Sequence, residues 1–516
     1  ADHGFLIISL RRQIHLCISD RDGVVWIEVA DRGGELGATR AGVTGEAPSD
    51  VLWHYNLSAR HLDKLCERVD TFSVSGDGER LVVRHRDDTI VVPSSHKVDD
   101  DDPAYIRVDL TRLRRTVNPR AEWRQMFDEN GRLMASHYWR EDMNGVDWDS
   151  VLNRYRPLVD LCHVVDDLHD ILWETVAELN TSHSYVSASG AAGDSDMRAG
   201  LLGADVSSGN DGAKVVRVIP GESSDPRAWS PLRAAGVAVT EGDVIVAVDG
   251  RKVGADGNLG ELLEGSAGRV VELTVRRGEN ERQVAVVPMA DEAPLRYHDW
   301  VASRRRYVEE HSGGRLGYLH VPDMVSDGWA ELHRQIGEAT RHEGVIADVR
   351  FNHGGHTSQL VVERLARRVV GWDYSRWYAT ADTYPQNAVR GPIVMVTNQW
   401  AGSDGDIVAA ATQAMGYAKV IGERSWGGVV GIDGRFDLVD GTSVTQPRYA
   451  GWYGSYGWGV ENHGVDPDIV VTVSPEDWEA DCDVQLDAAI AECLRQLDDK
   501  PAATAPELPG PAFDRC

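Results

Sequence analysis

The alternation of apolar runs with amphipathic segments between residues 291 and 498 is the feature that most constrains the fold. Runs such as "GRLGYLHV", "EGVIADVRF", "GPIVMVTN" and "AKVIGE" are typical of strands buried on both faces. Because helical patterns separate these runs, we predict a parallel sheet covered by helices. Ligands of such sheets bind beyond the carboxyl ends of the strands, where the loops "RFNHGGHTS" and "NQWAGSDGD" fall.

The second loop leads into "QWAGSDGDIVAAA", which places Ser403 at a corner between a strand and a helix. Such a corner exposes a side chain at the sheet edge and directs backbone N–H groups at a ligand, which suits a nucleophile. Helix capping is the alternative, since serine is a favoured N-cap and Asp404 and Asp406 complement the helix dipole. The local pattern leaves both interpretations open.

A length of 516 residues predicts several further domains. The first 95 residues read as short strands, and the D-G turn in "SGDGERLVVRHRDDTIVV" is typical of a propeller blade. Because these strands are too few to close a ring, we expect the end of a truncated β-propeller, followed by the linker "HKVDDDDPA".

Three more segments complete the predicted multidomain fold. Residues 103–198 have helical periodicity and form an α-helical module. Residues 199–290, with the hairpin "GDVIVAVDG", resemble a PDZ domain, which binds an extended peptide at a sheet edge. Residues 291–498 form the α/β parallel-sheet domain, of the crotonase/ClpP-like type, and the Pro- and Ala-rich residues 499–516 are expected to be disordered.

Composition excludes several partners and cofactors. A net charge of −29 disfavours nucleic acid and anionic membranes, and no apolar run reaches the length of a membrane span. The six cysteines form no C-x-x-C pair, which fits free thiols in a reducing compartment. Histidine spacing gives no metal-ligand set, so neither a metal nor another cofactor is predicted.

Serine-dependent acyl transfer needs a base, a group that orients it, and N–H donors for the oxyanion. Gly354 and Gly355, in the first loop, are candidate donors because their backbone is not shielded by a side chain. Tail-specific peptidases take the base from a lysine in a turn after the next strand. The corresponding stretch here, "SWGGVVG", has Gly428 at that position, so the base must come from elsewhere.

Six motifs in order resemble the tricorn proteases over nearly the whole chain: "TSHSYV", "DVRFNHGGHTSQL", "AGSDGDI", "WGGVVGI", "GTSVTQPRYAGWY" and "GVENHGVDPDI". The resemblance implies that Ser403 is the nucleophile and His183 the general base. It further implies that Ser182 and Glu461 orient His183, and that the N–H groups of Gly355 and Asp404 form the oxyanion hole. Asp373, in "VVGWDYSRW", matches the acidic residue that favours basic P1 side chains and reaches the site from a neighbouring subunit.

The resemblance implies a cytoplasmic serine peptidase that assembles as a homo-hexamer and cleaves short unfolded oligopeptides. Structural alternatives exist for single residues: His183 as a histidine satisfied at a domain junction, and Glu461 as a turn carboxylate. Two other functions also remain, a tail-specific peptidase with another base and a catalytically silent PDZ scaffold that binds peptides.

Overall fold

The computed structural model describes residues 14–19, 23–28, 50–86, 88–114, 116–188, 197–254, 258–377, 380–434 and 436–508. The start of the predicted propeller segment, residues 1–13, and the end of the predicted tail, residues 509–516, lie outside them. The chain divides into two compact units: residues 1–117 with 222–229, and residues 118–221 with 230–516.

The first unit contains two four-stranded antiparallel sheets with strands in chain order. The first sheet consists of β1 (Ile14–Ser19), β2 (Gly23–Glu28), β3 (Val51–Asn56) and β4 (His61–Glu67). The second consists of β5 (Thr71–Val74), β6 (Arg80–His85), β7 (Asp88–Pro93) and β8 (Ile106–Val108). Alternate residues of β2 and β6 are buried, as their period-two pattern predicts.

The strand β8 changes the predicted boundary of this domain. The sequence places its end at residue 95 and a linker after it, yet β8 pairs with β7 and belongs to the second sheet. The charged stretch that looked like a linker is therefore the connection between two neighbouring strands. The propeller assignment itself stays a prediction.

Three helices open the second unit, in agreement with the helical periodicity: α1 (Pro119–His137), α2 (Trp148–Val159) and α3 (Val165–Ala177). The side chain of Asn118 accepts a hydrogen bond from the N–H of Ala121 and caps α1, and Asp147 caps α2 in the same way. Phe127, Leu168 and other apolar side chains of the three helices form a common core.

An antiparallel sheet follows, in the strand order β10-β11-β12-β14-β15 with β13 beside β12. Its elements are β10 (Ala204–Gly209), β11 (Gly212–Val218), β12 (Val244–Val248), β13 (Arg251–Lys252), α4 (Leu259–Leu262), β14 (Val271–Arg277) and β15 (Asn280–Val286). The segment "GDVIVAVDG" forms the β12–β13 hairpin, as predicted. The sheet has its own apolar core, which agrees with a separate PDZ-like domain.

The last domain is built on a five-stranded parallel sheet in the order β16-β17-β20-β21-β25. Its strands and helices in chain order are α5 (Ala293–His311), β16 (Leu316–His320), α6 (Ser326–Ala339), β17 (Gly344–Asp348), α7 (Ser358–Leu365), β18 (Gly371–Asp373), β19 (Asp382–Tyr384), β20 (Ile393–Thr397), α8 (Asp404–Met415), β21 (Ala418–Gly422), β22 (Gly431–Asp433), β23 (Ser443–Val444), β24 (Gln446–Tyr449), β25 (Ile469–Val470), α9 (Pro475–Glu479) and α10 (Val484–Asp499). Apolar residues of α6, α7 and α8 form one core on the sheet and those of α5 and α10 another. The predicted parallel sheet covered on both faces is confirmed.

Short strand pairs complete this domain: β18 with β19, β22 with β24, and β23 with β9 (Val186–Ser187). The pair β9–β23 bears directly on the candidate site, because β9 begins three residues after His183. The N–H of Thr445 donates to the carbonyl of Tyr185 (3.0 Å), and its hydroxyl donates to the carbonyl of His183 (2.7 Å). The segment that carries His183 is thus fixed to the parallel-sheet domain.

Residues 500–508 differ from the expected disordered tail. The N–H of Ala503 donates to the carbonyl of Arg390 (2.8 Å), and the hydroxyl of Tyr374 donates to the carbonyl of Pro506. Ala502 also packs against the core that α5 and α10 form. Backbone hydrogen bonds and one small apolar contact therefore hold a segment whose composition alone suggests disorder. No helix of the described residues has the length and apolar character that crossing a bilayer requires.

Candidate active site

Ser403 occupies a strained corner between β20 and α8. Its backbone has φ +58° and ψ −119°, in a region that non-glycine residues rarely adopt, and its side chain makes no capping hydrogen bond. The capping interpretation is therefore wrong. Within the part of the chain that the structure describes, the Ser403 hydroxyl has no hydrogen-bond partner, which leaves it available as a nucleophile.

The loop after β17 runs directly beside this corner. A Cβ added at Gly354, where φ is +77°, would lie 2.5 Å from Cβ of Ser403. The N–H of Gly402 also donates to the carbonyl of Asn352 (3.0 Å), which ties the two loops together. Glycine at position 354 is thus required for the close approach of the loops.

Gly355, the next residue of this loop, has an N–H group without an acceptor among the described residues. Met324 and Gly355 form a parallel β-bridge. The N–H of Met324 donates to the carbonyl of Gly354 (2.7 Å), and the N–H of His356 donates to the carbonyl of Met324 (2.8 Å). Because successive peptide groups of an extended chain point in opposite directions, the N–H of Gly355 points away from Met324. Its φ is +146°, and a side chain there would overlap the carbonyl of Met324, so only glycine fits.

Asp404 supplies a second free N–H as the first residue of α8, because such residues have no acceptor within their helix. Neither this N–H nor that of Gly355 has a protein acceptor among the described residues. The buried carboxylate of Asp404 accepts from the N–H and the hydroxyl of Ser358 (3.0 and 2.8 Å) at the start of α7. This contact joins the start of α8 to the start of α7, the helix that follows Gly355.

Ser182 and His183 lie in the segment between α3 and β9. The Ser182 hydroxyl donates to Oε2 of Glu461 (3.2 Å) and is 2.9 Å from Nδ1 of His183. A hydroxyl that donates to a carboxylate is left to accept from the imidazole, which assigns the proton of neutral His183 to Nδ1. The lone pair of Nε2 then remains free to take a proton.

Glu461 is held in turn by three backbone donors. Its carboxylate accepts from the N–H groups of Ser182 (2.8 Å), Val429 (2.7 Å) and Val430 (3.0 Å). The alternative, that Glu461 is a turn carboxylate paired with an arginine, does not hold. Oε1 of Glu461 accepts from Ser182, and Oε2 accepts from Ser182, Val429 and Val430. Burial lowers the pKa of His183 below 6.5, and the nearby charge of Glu461 opposes that effect.

Trp426 lies next to both His183 and Gly402, the residue before Ser403. Its ring lies edge-on to the imidazole of His183, with 5.5 Å between ring centroids. A Cβ added at Gly402, next to Ser403, would be 2.7 Å from the same indole. No hydrogen bond joins Nε2 of His183 to the Ser403 hydroxyl in the described part of the chain. Catalytic hydrogen bonds are often long without substrate.

Gly428 excludes a lysine base at the position that tail-specific peptidases use. A Cβ at this position would overlap the ring of Trp426 and lie 2.9 Å from Oγ of Ser182. Any side chain here would therefore displace both groups. Tight packing, and not only the sequence, argues against a Ser–Lys dyad.

Sequence reasoning missed the burial of Asp406 and the role of Trp426. The sequence indicates that Asp406 complements the dipole at the start of α8, but its side chain is buried and accepts hydrogen bonds from the turn after β21. No local signal marks this burial, because the donors come from a turn about twenty residues later in the chain. No local sequence pattern indicates that Trp426 contacts His183.

Asp373 lies apart from this cluster of contacts. It ends β18, in a two-stranded ribbon with β19, and its side chain is exposed. Its carboxylate makes neither an ion pair nor a hydrogen bond with any described residue. The structure therefore does not join Asp373 to Ser403 within one chain.

No group of three His, Cys, Asp or Glu side chains among the described residues could hold a metal ion. Cys66, Cys162, Cys482 and Cys493 are free thiols, whereas the side chains of Cys17 and Cys516 lie outside the description.

Comparison with known proteins agrees with these domains. Residues 315–471 match Peptidase family S41, residues 200–291 the Tricorn protease PDZ domain, and residues 119–177 the Tricorn protease C1 domain. Tricorn protease homolog 1 of Streptomyces coelicolor is 55% identical over 95% of this chain and 46% of its own length. Tricorn protease of Thermoplasma acidophilum is 35% identical over 88% of this chain and 42% of its own length.

A solved crystal structure of the tricorn protease superposes with a TM-score of 0.83 at 33% identity and covers 93% of this chain and 46% of that one. The chain thus spans about half the length of the curated relatives it matches. Three parts of this chain are therefore similar to known domains: residues 119–177 and 200–291 to the C1 and PDZ domains of the tricorn proteases, and residues 315–471 to peptidase family S41.

Proposed function

We propose that this chain is a serine peptidase that hydrolyses short, unfolded oligopeptides, with Ser403 as the nucleophile and His183 as the general base. The observation that carries the proposal is the hydrogen-bonded series Glu461, Ser182 and His183, which leaves Nε2 of His183 free, with Trp426 next to both His183 and Gly402. The match of residues 315–471 to peptidase family S41 and the similarity of the chain to tricorn proteases support the same reaction.

In the first half of the reaction, Oγ of Ser403 attacks the peptide carbonyl carbon while Nε2 of His183 takes the hydroxyl proton. The N–H groups of Gly355 and Asp404 donate to the oxyanion that forms. The imidazolium then gives its proton to the leaving amine, and the C–N bond breaks to leave an acyl-serine.

In the second half, Nε2 accepts a proton from water, whose oxygen attacks the acyl carbon. The tetrahedral intermediate collapses, the ester bond breaks and Oγ of Ser403 is protonated again. Throughout, Ser182 and Glu461 hold the imidazole in one tautomer and stabilise its positive charge.

Substrate choice and assembly are further parts of the proposal. Asp373 forms the S1 subsite of a neighbouring subunit in a cytoplasmic homo-hexamer and selects basic P1 side chains. Support comes from the exposed, unpaired carboxylate of Asp373 within the described residues and from its motif. The two four-stranded sheets are the last blades of a β-propeller, and the parallel-sheet domain is of the crotonase/ClpP-like type.

Covalent labelling tests the reaction. We expect an aryl phosphonate ester with a P1 arginine analogue to add one adduct to the wild type, detected by intact mass, and none to Ser403→Ala. The variant should lose at least about 10⁴-fold in peptide hydrolysis, because the nucleophile is removed, with an unchanged melting temperature. Turnover that survives in Ser403→Ala would refute the assignment of the nucleophile.

The same experiment separates the alternatives. A tail-specific peptidase with another base would still be labelled in His183→Ala at the wild-type rate. A silent PDZ scaffold would show no adduct at all, but would bind peptide carboxyl termini at the sheet edge.

A further inference from the structure

We propose that Asp406 is a positioning residue that couples the helix of the nucleophile to the turn that carries the base. This inference rests on the proposed function. Asp406 does not contact the reacting atoms in this arrangement. It acts through the turn Ser425–Gly428, which follows β21.

Asp406 is fully buried and accepts hydrogen bonds from three groups of this turn. The Ser425 hydroxyl donates to Oδ1, and so does the N–H of Gly427 (2.8 Å). The N–H of Gly428 donates to Oδ2 (3.2 Å). One carboxylate on α8 thus fixes the turn at three points, Ser425, Gly427 and Gly428.

This turn also positions the proposed base, His183. The next two N–H groups, those of Val429 and Val430, hold Glu461, which orients Ser182 and His183. Trp426, inside the turn, packs against His183 on one side and near Gly402 on the other. A displacement of the turn therefore moves the imidazole relative to Ser403.

Within the described residues, hydrogen bonds and not ion pairs stabilise the buried carboxylate of Asp406. No Lys, Arg or His forms an ion pair with Asp406 in the described part of the chain, and the charge of Asp406 contributes, after burial, to the raised pKa of Tyr453. Burial raises the pKa of Asp406 to about 6, while the hydrogen bonds from Ser425, Gly427 and Gly428 and from the N–H of Ser403 oppose the shift. At neutral pH the group is ionised, and hydrogen bonds from the catalytic loops are what offset its burial.

The test compares Asp406→Asn with Asp468→Asn. Asp468 lies in the same domain, accepts from the backbone N–H of Val420 (2.8 Å) and pairs with Lys419 (3.2 Å), so Asp468→Asn controls for the loss of one negative charge and one acceptor away from the turn. We expect kcat of Asp406→Asn to fall about 10–100-fold, since the amide places an N–H₂ donor against N–H donors and shifts the base. KM should stay within about twofold, because the substrate-binding groups are intact.

Ser425→Ala is the second variant, in case Asp406→Asn folds poorly. It removes one of the three donors and should lower kcat in the same direction by a smaller factor. Equal kcat values for Asp406→Asn and Asp468→Asn, or a change confined to KM, would overturn the inference. A wild type that neither hydrolyses peptides nor takes up the phosphonate would instead overturn the proposed function, and with it this inference.

Discussion

The imidazole of His183 is surrounded by groups that favour its neutral form and fix its tautomer. Burial lowers its pKa and the nearby charge of Glu461 opposes that shift, while the Ser182 hydroxyl bridges the two side chains. A base must be unprotonated to accept the proton of Ser403, so activity should be retained under mildly acidic conditions in which an exposed histidine is already protonated.

The pH dependence of hydrolysis tests this reading of His183. Since the neutral form is the active one and burial lowers the pKa, kcat/KM should rise with pH through a midpoint below 6.5. Measurement of kcat/KM between pH 4.5 and 9 checks the expectation. As a control, Glu461→Gln removes the opposing negative charge and should move the midpoint to still lower pH while kcat falls. A wild-type midpoint above 6.5 would contradict the role of burial.

At the scale of secondary-structure elements, the loops after β17 and β20 depend on close backbone contact. Gly355→Ala should disturb both stability and catalysis, because φ is +146° and the added Cβ would overlap Met324. We expect the free energy of unfolding to fall by about 1–3 kcal/mol. Displacement of one oxyanion donor should lower kcat about 10²–10³-fold.

Gly337→Ala is the matched control for this prediction. Gly337 lies within α6, and a Cβ there would meet only the side-chain oxygen of Asn387, at 3.8 Å. The same substitution should therefore raise stability by about 0.5–1 kcal/mol and leave kcat unchanged. Denaturant titration and steady-state kinetics measure both effects, and similar results for the two variants would exclude the special role of Gly355.

The sequence predicts elements well where their burial leaves a periodic or continuous apolar pattern. The strands β16, β17 and β20 are buried on both faces, so their residues form unbroken apolar runs, and the corner at Ser403 follows from the last of them. The strands β9 and β23 have two residues each and lie far apart in the chain, so no sequence pattern predicts their pairing. Only the resemblance placed His183 near Ser403.

Side-chain burial at the site was harder to foresee than the elements. Asp406 follows Ser403 by three residues, and an acidic residue in the first turn of a helix is normally solvated there. Its burial depends on a turn about twenty residues later that folds over α8 and supplies the three donors. Local sequence cannot contain that information, because it belongs to the packing of the turn.

At the scale of the whole molecule, Asp373 raises the question of which subunit's site it serves. Its ribbon also exposes Tyr374 and Trp377, and the carboxylate finds no partner among the residues described within one chain. If Asp373 completes the S1 subsite of a neighbour, Asp373→Asn should weaken cleavage after arginine far more than cleavage after leucine, and only in the assembled state.

Mixed assemblies decide between a neighbour's Asp373 and the chain's own. Subunits of Ser403→Ala keep Asp373, and subunits of Asp373→Asn keep Ser403. If the residues act across a subunit boundary, random co-assembly of equal amounts should give about a quarter of the sites both native residues, and cleavage after arginine should recover to about a quarter of the wild-type rate. If they act within one chain, no mixed site has both, and cleavage after arginine should not exceed half that of Asp373→Asn alone.

Coexpression with two affinity tags isolates the mixed species. The rate of cleavage after leucine does not require Asp373, so it measures the number of sites with a native Ser403 in each preparation.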